Sequence, residues 1–236
     1  MNRIVDFHTH ILPKMDDGSR SVEMSVEMLR EEFRQGVKTV VLTPHFYANH
    51  DKPERFLERR TASFERLCGA IGDEQDLPRL VLGAEVHYFD GISDCEYLDK
   101  FVVEGTSCIL IEMPTRQWDE RLLVEMASIY PKRRLMPVIA HVDRYLPRIG
   151  GGKVFERLAS LPVMIQVNAE FFSNFSTKRL ALRMLSEGKI HLIGSDCHNM
   201  KTRKPDIESA LNVIKRKSYE RYLEAVYASQ NKLICE

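Results

Sequence analysis

Apolar residues along this chain gather into short, nearly continuous runs. Each run is followed by a longer stretch in which apolar and charged positions recur with helical spacing. The runs lie at residues 4–7, 37–43, 80–83, 108–111, 135–140, 163–167 and 190–194. Their shortness and β-branched content, as in VKTVVLT from Val37 to Thr43, predict seven buried strands. The intervening stretches predict helices at 21–35, 53–71, 119–130, 154–161, 176–188 and 206–215, with a last one at 218–229 that no strand follows. In the first helix Ser21 is placed to cap the N-terminus, Met24, Met28 and Leu29 form the buried stripe, and Gly36 closes the element. Such alternation predicts an α/β fold, with parallel strands joined by helical crossovers. The polar segment 73–76 reads as a turn within the repeat. No linker or low-complexity segment interrupts the pattern, so one domain over residues 1–236 is expected.

The polar residues at the strand ends change the picture. His8 and His10 follow the first run, and Asp16-Asp17-Gly18 comes next on the loop. His45 ends the second run, Glu85 the third, Glu112 the fourth and His141 the fifth; Asp196 and His198 end the seventh. In parallel barrels the C-terminal ends of the strands carry the active site. Residues two apart on a strand point the same way, so His8 and His10 can share an ion, as can Asp196 and His198. Any one of these residues alone reads as a solvated loop side chain or a turn former. Their recurrence at one edge of successive strands predicts a metal centre. The set His8, His10, Asp17, His45, Glu85, Glu112, His141, Asp196 and His198 is all nitrogen and oxygen, which suits manganese, iron or zinc and lacks the thiolates of structural zinc sites. It exceeds the needs of one ion. Two or three are expected, with Glu85 as a bridge, an arrangement suited to phosphate-ester hydrolysis.

Composition narrows the class. The 236 residues carry zero formal net charge, 44% hydrophobic and 29% charged residues, which argues against a long nucleic-acid partner. No apolar run approaches the ~18 residues of a membrane span, so no membrane insertion is expected. The first residues run directly into ligand-type side chains, so no signal peptide is expected. Five scattered cysteines, at 68, 95, 108, 197 and 235, suggest reduced thiols and a cytoplasmic location.

At Asp6-x-His8-x-His10 the chain resembles the polymerase-and-histidinol-phosphatase (PHP) superfamily. The resemblance runs from Ile4 to about Asp206. Within it, Asp16-Asp17-Gly18, Thr43-Pro44-His45, Gly83-Ala84-Glu85, Ile111-Glu112-Met113-Pro114, Gln166-Val167-Asn168-Ala169 and Ser195-Asp196-Cys197-His198-Asn199 are similar to the bacterial tyrosine-protein phosphatases of capsule and exopolysaccharide operons. The resemblance implies a distorted TIM-like (βα)7 barrel, the PHP fold. It implies a cytoplasmic, Mn2+-dependent enzyme acting on phosphotyrosine in the tail of a bacterial tyrosine kinase. It further implies one ion held by His8, His10, Glu85 and Asp196, a second by Glu85, Glu112 and His141, and a third by Asp17, His45 and His198. Arg144 and Arg203 match arginines that such enzymes place at the phosphate, where a guanidinium binds in a bidentate way. The chain departs from the family's common form at Val142-Asp143, at 171–175 and in the loop after His45, which bears on substrate preference rather than on the ligands.

Where they are not fully occupied as ligands, His45 and His198 are the nearest candidates for proton transfer; a phenol, with a pKa near ~10, leaves readily without a dedicated acid. Trp118, Phe46, Tyr47, Tyr88, Phe89, Phe171 and Phe172 are candidates for an aromatic rim, with core packing as the alternative. His50 and His87 lie on active-face loops, where contact with substrate is the alternative to their reading as plain loop residues, and His191 stands at the wrong strand end for chemistry. Cys197 and Arg203 have the C-x5-R spacing of thiol-dependent tyrosine phosphatases, but no glycine between them lets the backbone curl around an anion. Other readings are a phosphatase for a small phosphomonoester such as histidinol phosphate, a phosphodiesterase, or a metal-stabilised binding module. The physiological metal and the oligomeric state stay open.

Overall fold

The computed structural model describes residues 4–146 and 152–234. Its strands are β1 (Ile4–Thr9), β2 (Val37–Leu42), β3 (His45–Phe46), β4 (Arg79–Leu82), β5 (Glu85–His87), β6 (Cys108–Glu112), β7 (Met136–Ile139), β8 (Met164–Asn168) and β9 (Leu192–Gly194). The helices are α1 (Val22–Arg34), α2 (Pro53–Ile71), α3 (Glu120–Arg133), α4 (Val142–Tyr145), α5 (Gly152–Ala159), α6 (Glu170–Ser173), α7 (Lys178–Ser186), α8 (Ile207–Arg216) and α9 (Leu223–Ile234). The expected cap is present: the Ser21 hydroxyl accepts from the Met24 N–H, and Gly36 takes the left-handed conformation at φ 86° that ends the first crossover helix. The last helix begins five residues later than expected, after a 3-10 turn at Glu220–Tyr222. The short helices α4 and α6, each four residues long, carry no periodicity that sequence could show.

Two of the seven expected strands are each followed, beyond their expected ends, by a second short strand segment. Thr43-Pro44 separates β2 from β3, and Gly83-Ala84 separates β4 from β5. The chain runs on alongside itself across both breaks: the Gly83 N–H donates to the Leu42 carbonyl at 2.9 Å and the Glu85 N–H to the Pro44 carbonyl at 3.0 Å. Proline cannot donate to a ladder, so the break falls where a donor is missing. His45 and Glu85 therefore open new strand segments instead of ending old ones, and His8 lies within β1 instead of after it.

All pairings are parallel. β1, β2 and β4 form one ladder, and β3, β5, β6, β7, β8 and β9 the other. The ladders meet where β1 runs beside β9: the Asp196 N–H donates to the His8 carbonyl at 2.8 Å and the His10 N–H to the Cys197 carbonyl at 2.9 Å. The result is a curled parallel sheet with helices packed outside it. Two apolar layers sandwich the strands. Val5, Phe7, Val41, Val81, Cys108, Leu110, Val138, Ala140 and Leu192 form one cluster inside the curl, while their alternate neighbours, such as Val40, Leu42, Ile109, Ile111, Ile139 and Ile193, pack into the larger cluster with the helices. Strands buried on both faces explain the near-continuous apolar runs.

Candidate metal centre

The inward alternation of the strands leads directly to the site. Val41 and Thr43 continue to His45, Val81 and Gly83 to Glu85, Cys108 and Leu110 to Glu112, and Leu192 and Gly194 to Asp196. Each of these four has the parity of the inner apolar cluster. His8 and His141 do not, and each needs a local irregularity. The β1–β2 register shifts between Asp6 and Thr9, as a bulge re-aims a side chain. His141 sits at φ 31°, a left-handed conformation rare outside glycine and frequent at functional sites. Asp196 shares it at φ 55°.

Glu85 is the centre of the arrangement. Its Oε1 lies 2.9 Å from His141 Nε2, and its Oε2 lies 3.1 Å from His8 Nε2, 3.3 Å from His10 Nε2 and 3.0 Å from His45 Nδ1. Yet Oε2 is buried and none of those three contacts has hydrogen-bond geometry; His45 Nδ1 and His198 Nε2 are buried without a partner as well. His8 Nε2 and His10 Nε2 face each other at 3.1 Å. Ligand-type nitrogens and oxygens that converge on common points, several of them buried without a hydrogen-bond partner, are what a cation resolves. Among the described residues, three groups have ligand atoms all within 4.8 Å of one another: His8, His10 and Glu85; His45, Glu85 and Glu112; and His10, Asp17, His45 and His198. The residues present therefore fit metal ions. The second group differs from the set that the resemblance implies by holding His45 where His141 was expected, though His141 Nε2 is also 3.7 Å from Glu112. Asp196 Oδ1 stands 3.3 Å from His10 Nε2 and 3.6 Å from His8 Nε2.

Electrostatics keep Glu85 and Asp196 ionised. Burial, the largest influence on Glu85, opposes ionisation, but His8, His10, His141 and His45 together outweigh it and hold the carboxyl well below its usual range. Asp196 behaves alike, with burial outweighed by His8, His10 and Arg144. Burial and the neighbouring His10 push His198 down to about 4, leaving its ring neutral and able to ligate.

A surrounding layer of side chains orients these groups, and sequence reasoning gave most of it no role. Asp16 bonds His10 Nδ1 at 2.8 Å and accepts the His45 N–H at 2.9 Å, so the first aspartate of the Asp16-Asp17 pair orients while the second faces His45 and His198. Gln166 Oε1 accepts the His141 N–H at 2.6 Å and lies 3.3 Å from His8 Nδ1. Asn168 donates to Asp196 Oδ2 at 3.1 Å. His87, expected to be a plain loop residue, bonds Glu112 Oε2 at 3.0 Å. The strand parity of Gln166 and Asn168, set by Met164 at the inner face, was the available signal. His191 lies at the far end, where its Nδ1 accepts the Ile165 N–H at 3.0 Å.

Arg144 and Arg203 both reach Asp196 Oδ2, Arg203 Nη2 at 2.8 Å, and both side chains remain partly exposed. Arg203 Nη1 is also 4.0 Å from Asp17. The aromatic rim largely dissolves. Trp118, Phe46, Tyr88, Phe171 and Phe172 are buried in the core cluster, and Phe89 is partly buried against it. Tyr47 alone among the seven is exposed.

Cys197 is fully buried, and its thiol faces Glu32 Oε1 at 3.8 Å. Burial, then the charges of Glu32 and Asp6, push it well above the usual thiol range, the reverse of what a nucleophilic cysteine needs. Cys197→Ser is expected to keep phosphatase turnover within the same order of magnitude. Loss of turnover with metal content unchanged would point to the thiol.

A curled parallel α/β sheet with imidazoles and carboxylates converging at the C-terminal ends of its strands, beside two arginines, defines a TIM-like protein with a candidate metal centre. The chain belongs to the capsular polysaccharide synthesis family CpsB/CapC, whose family model matches residues 4–236. It is 30% identical over 223 residues to the tyrosine-protein phosphatase YwqE of Bacillus subtilis, covering 90% of this chain and 84% of that protein. It is 27% identical to the tyrosine-protein phosphatase CpsB of Streptococcus pneumoniae, covering 91% and 90% respectively. A structure from work on those two proteins, described there as unique metal-dependent tyrosine phosphatases, superposes with TM-score 0.80 at 24% identity over 97% of this chain and 93% of that one. The phosphotriesterase homology protein of Escherichia coli shares the fold more distantly, with TM-score 0.53 at 9% identity over 97% and 98% of the two chains. Among the described residues no helix is long and apolar enough to cross a membrane.

Proposed function

We propose that the protein is a metal-dependent protein-tyrosine phosphatase, with Mn2+ as its ion. The observation that carries this is the convergence on Glu85 of four imidazoles whose ring nitrogens stand within 3.3 Å of its carboxylate oxygens, most of them out of hydrogen-bond geometry. The family and the names of the relatives support the substrate class. In this reading seven strand positions, two of them broken, form a distorted (βα)7 barrel of the PHP type, as one domain over residues 1–236. The enzyme acts in the cytoplasm, on phosphotyrosine in the tail of a bacterial tyrosine kinase that controls polysaccharide export.

His8, His10, Glu85 and Asp196 would hold one ion, Glu85, Glu112 and His141 a second with His45 in reach, and Asp17, His45 and His198 a third. When bound, such ions supply Lewis acidity toward water and phosphoryl oxygens. The chain's own residues do the rest. Arg144 and Arg203, drawn together by Asp196 Oδ2, present exposed guanidinium edges that bind the phosphoryl oxygens and offset charge built up in the transition state. Asp16 and Gln166 hold the His10 and His8 rings in one tautomer, so their Nε2 atoms face the centre. His45 and His198, at the open side, could pass a proton to the leaving phenolate only where they are not taken up as ligands, and a phenolate leaves without a dedicated acid.

The test is hydrolysis of a phosphotyrosine peptide, histidinol phosphate and a diester by metal-stripped protein, before and after adding manganese, with His8→Ala as control. Restored turnover on the peptide in the parent and none in the variant is expected. Turnover without metal, or preference for histidinol phosphate or the diester, would overturn the assignment.

A further inference from the structure

The cluster has two open flanks. On one, Arg144, Ser195, Lys201 and Arg203 line a cleft of about 330 Å³. On the other, Met15, Tyr47, His45 and His50, with the charged Asp16, Asp17, Asp51 and Arg59, line a cavity of about 320 Å³, within the ~300–1,000 Å³ range of small-molecule pockets. Asp17 and His45 belong to both the second cavity and the candidate metal centre. The two flanks adjoin, since Arg203 Nη1 on the first lies 4.0 Å from Asp17 on the second.

That second cavity is built to receive a ring. Met15, nearly buried, supplies an apolar surface, and Tyr47 is a wall 37% exposed while the other candidate rim aromatics have withdrawn into the core. The Tyr47 ring lies 5.3 Å from the His45 ring and 5.3 Å from that of His87, with His50 edge-on at 6.2 Å. The wall is pre-formed. The Tyr47 carbonyl accepts the N–H groups of His50 at 2.9 Å and Asp51 at 3.0 Å, and Asp51 is ion-paired to Arg59 of α2. Such a turn fixes the backbone that carries the ring, and the neighbouring imidazoles limit the ring's movement, which lowers the ordering cost on binding.

We propose that this cavity is the aryl subsite of the enzyme, in which Tyr47 packs against the aromatic ring of an aryl phosphomonoester and so favours phosphotyrosine over alkyl phosphates such as phosphoserine. The inference rests on the phosphatase reading above and assigns its leaving-group selectivity to one side chain. Offset and edge-on aromatic contacts reward a ring and give nothing to a methylene.

The experiment uses two non-hydrolysable probes, phenylphosphonate and methylphosphonate, titrated into manganese-loaded protein by calorimetry. It is paired with kcat/KM on phosphotyrosine and phosphoserine peptides of one sequence. The parent should bind the phenyl probe roughly tenfold more tightly, as a single aromatic contact provides. Tyr47→Ala should bring that ratio close to one and raise KM for the phosphotyrosine peptide more than it lowers kcat. Tyr47→Phe should retain both. A ratio unchanged in Tyr47→Ala, or a ratio near one in the parent, overturns the subsite while the phosphatase assignment stands. Binding of neither probe and turnover of neither peptide by the manganese-loaded parent overturns both.

Discussion

Glu85→Gln protein should fold as the parent does and lose at least about a thousandfold in metal-dependent turnover, the equivalent of roughly 4 kcal/mol of transition-state stabilisation. Glutamine fills the same volume, so the packing of a fully buried side chain is kept. What changes is charge and donor character. The carboxylate faces four imidazoles with its two oxygens, within 3.3 Å of each. Among the described residues it joins the candidate ligand group that holds His8 to the one that holds Glu112. An amide presents N–H groups to nitrogen lone pairs that need a cation, and it cannot bridge two ions as an anion does. Metal content, read by elemental analysis alongside circular dichroism and turnover, checks this. Parent-like metal content with turnover within tenfold would show that Glu85 does not bridge.

Gly194→Ala should damage the site from behind. A Cβ at Gly194 would stand 2.6 Å from His8 Cβ and 3.0 Å from both His8 N and Gln166 Nε2. The obstacle is the backbone and Cβ of β1, not the end of a flexible side chain. Relief requires β9 to back away from β1, along the seam where the Asp196 N–H meets the His8 carbonyl at 2.8 Å and the Ser195 N–H meets Asp6 Oδ1 at 2.9 Å. Overpacking of this kind costs about 2–3 kcal/mol, which for a chain of this length lowers Tm by roughly 5–10 °C. His8 and Asp196 are carried by the two strands that must part, so metal affinity should fall with stability. Thermal unfolding with and without manganese distinguishes the variants: Glu85→Gln loses the manganese-induced rise, whereas Gly194→Ala lowers the apo Tm by the overpacking cost and weakens that rise. An apo Tm within 1–2 °C of the parent's would mean that the seam yields without cost.

The two substitutions also mark where sequence reasoning reached and where it stopped. Glu85 was legible because a carboxylate after an apolar run, repeated across several runs, is a pattern of strand ends. Gly194 was read only as the last residue of a strand, since nothing local says which neighbour its missing side chain admits. The Asp16-Asp17 pair shows the same limit: both were seen, but which one orients and which one faces the other imidazoles depends on His10 and His45, far apart in sequence. His87 passed as a loop residue because its partner Glu112 comes 25 positions later.

By itself the sequence determined the alternation of strand and helix, the parallel sheet, and the edge of that sheet at which histidines and carboxylates collect. Those features follow from local periodicity and from side-chain parity along each strand, which every residue carries with it. The tertiary structure decided the rest: the breaks at Thr43-Pro44 and Gly83-Ala84, the irregularities that turn His8 and His141 inward, the withdrawal of most aromatics into the core, and the exposure of Tyr47. Burial and close approach are properties of pairs distant in the chain, and they exist only once the curled sheet brings β1 against β9.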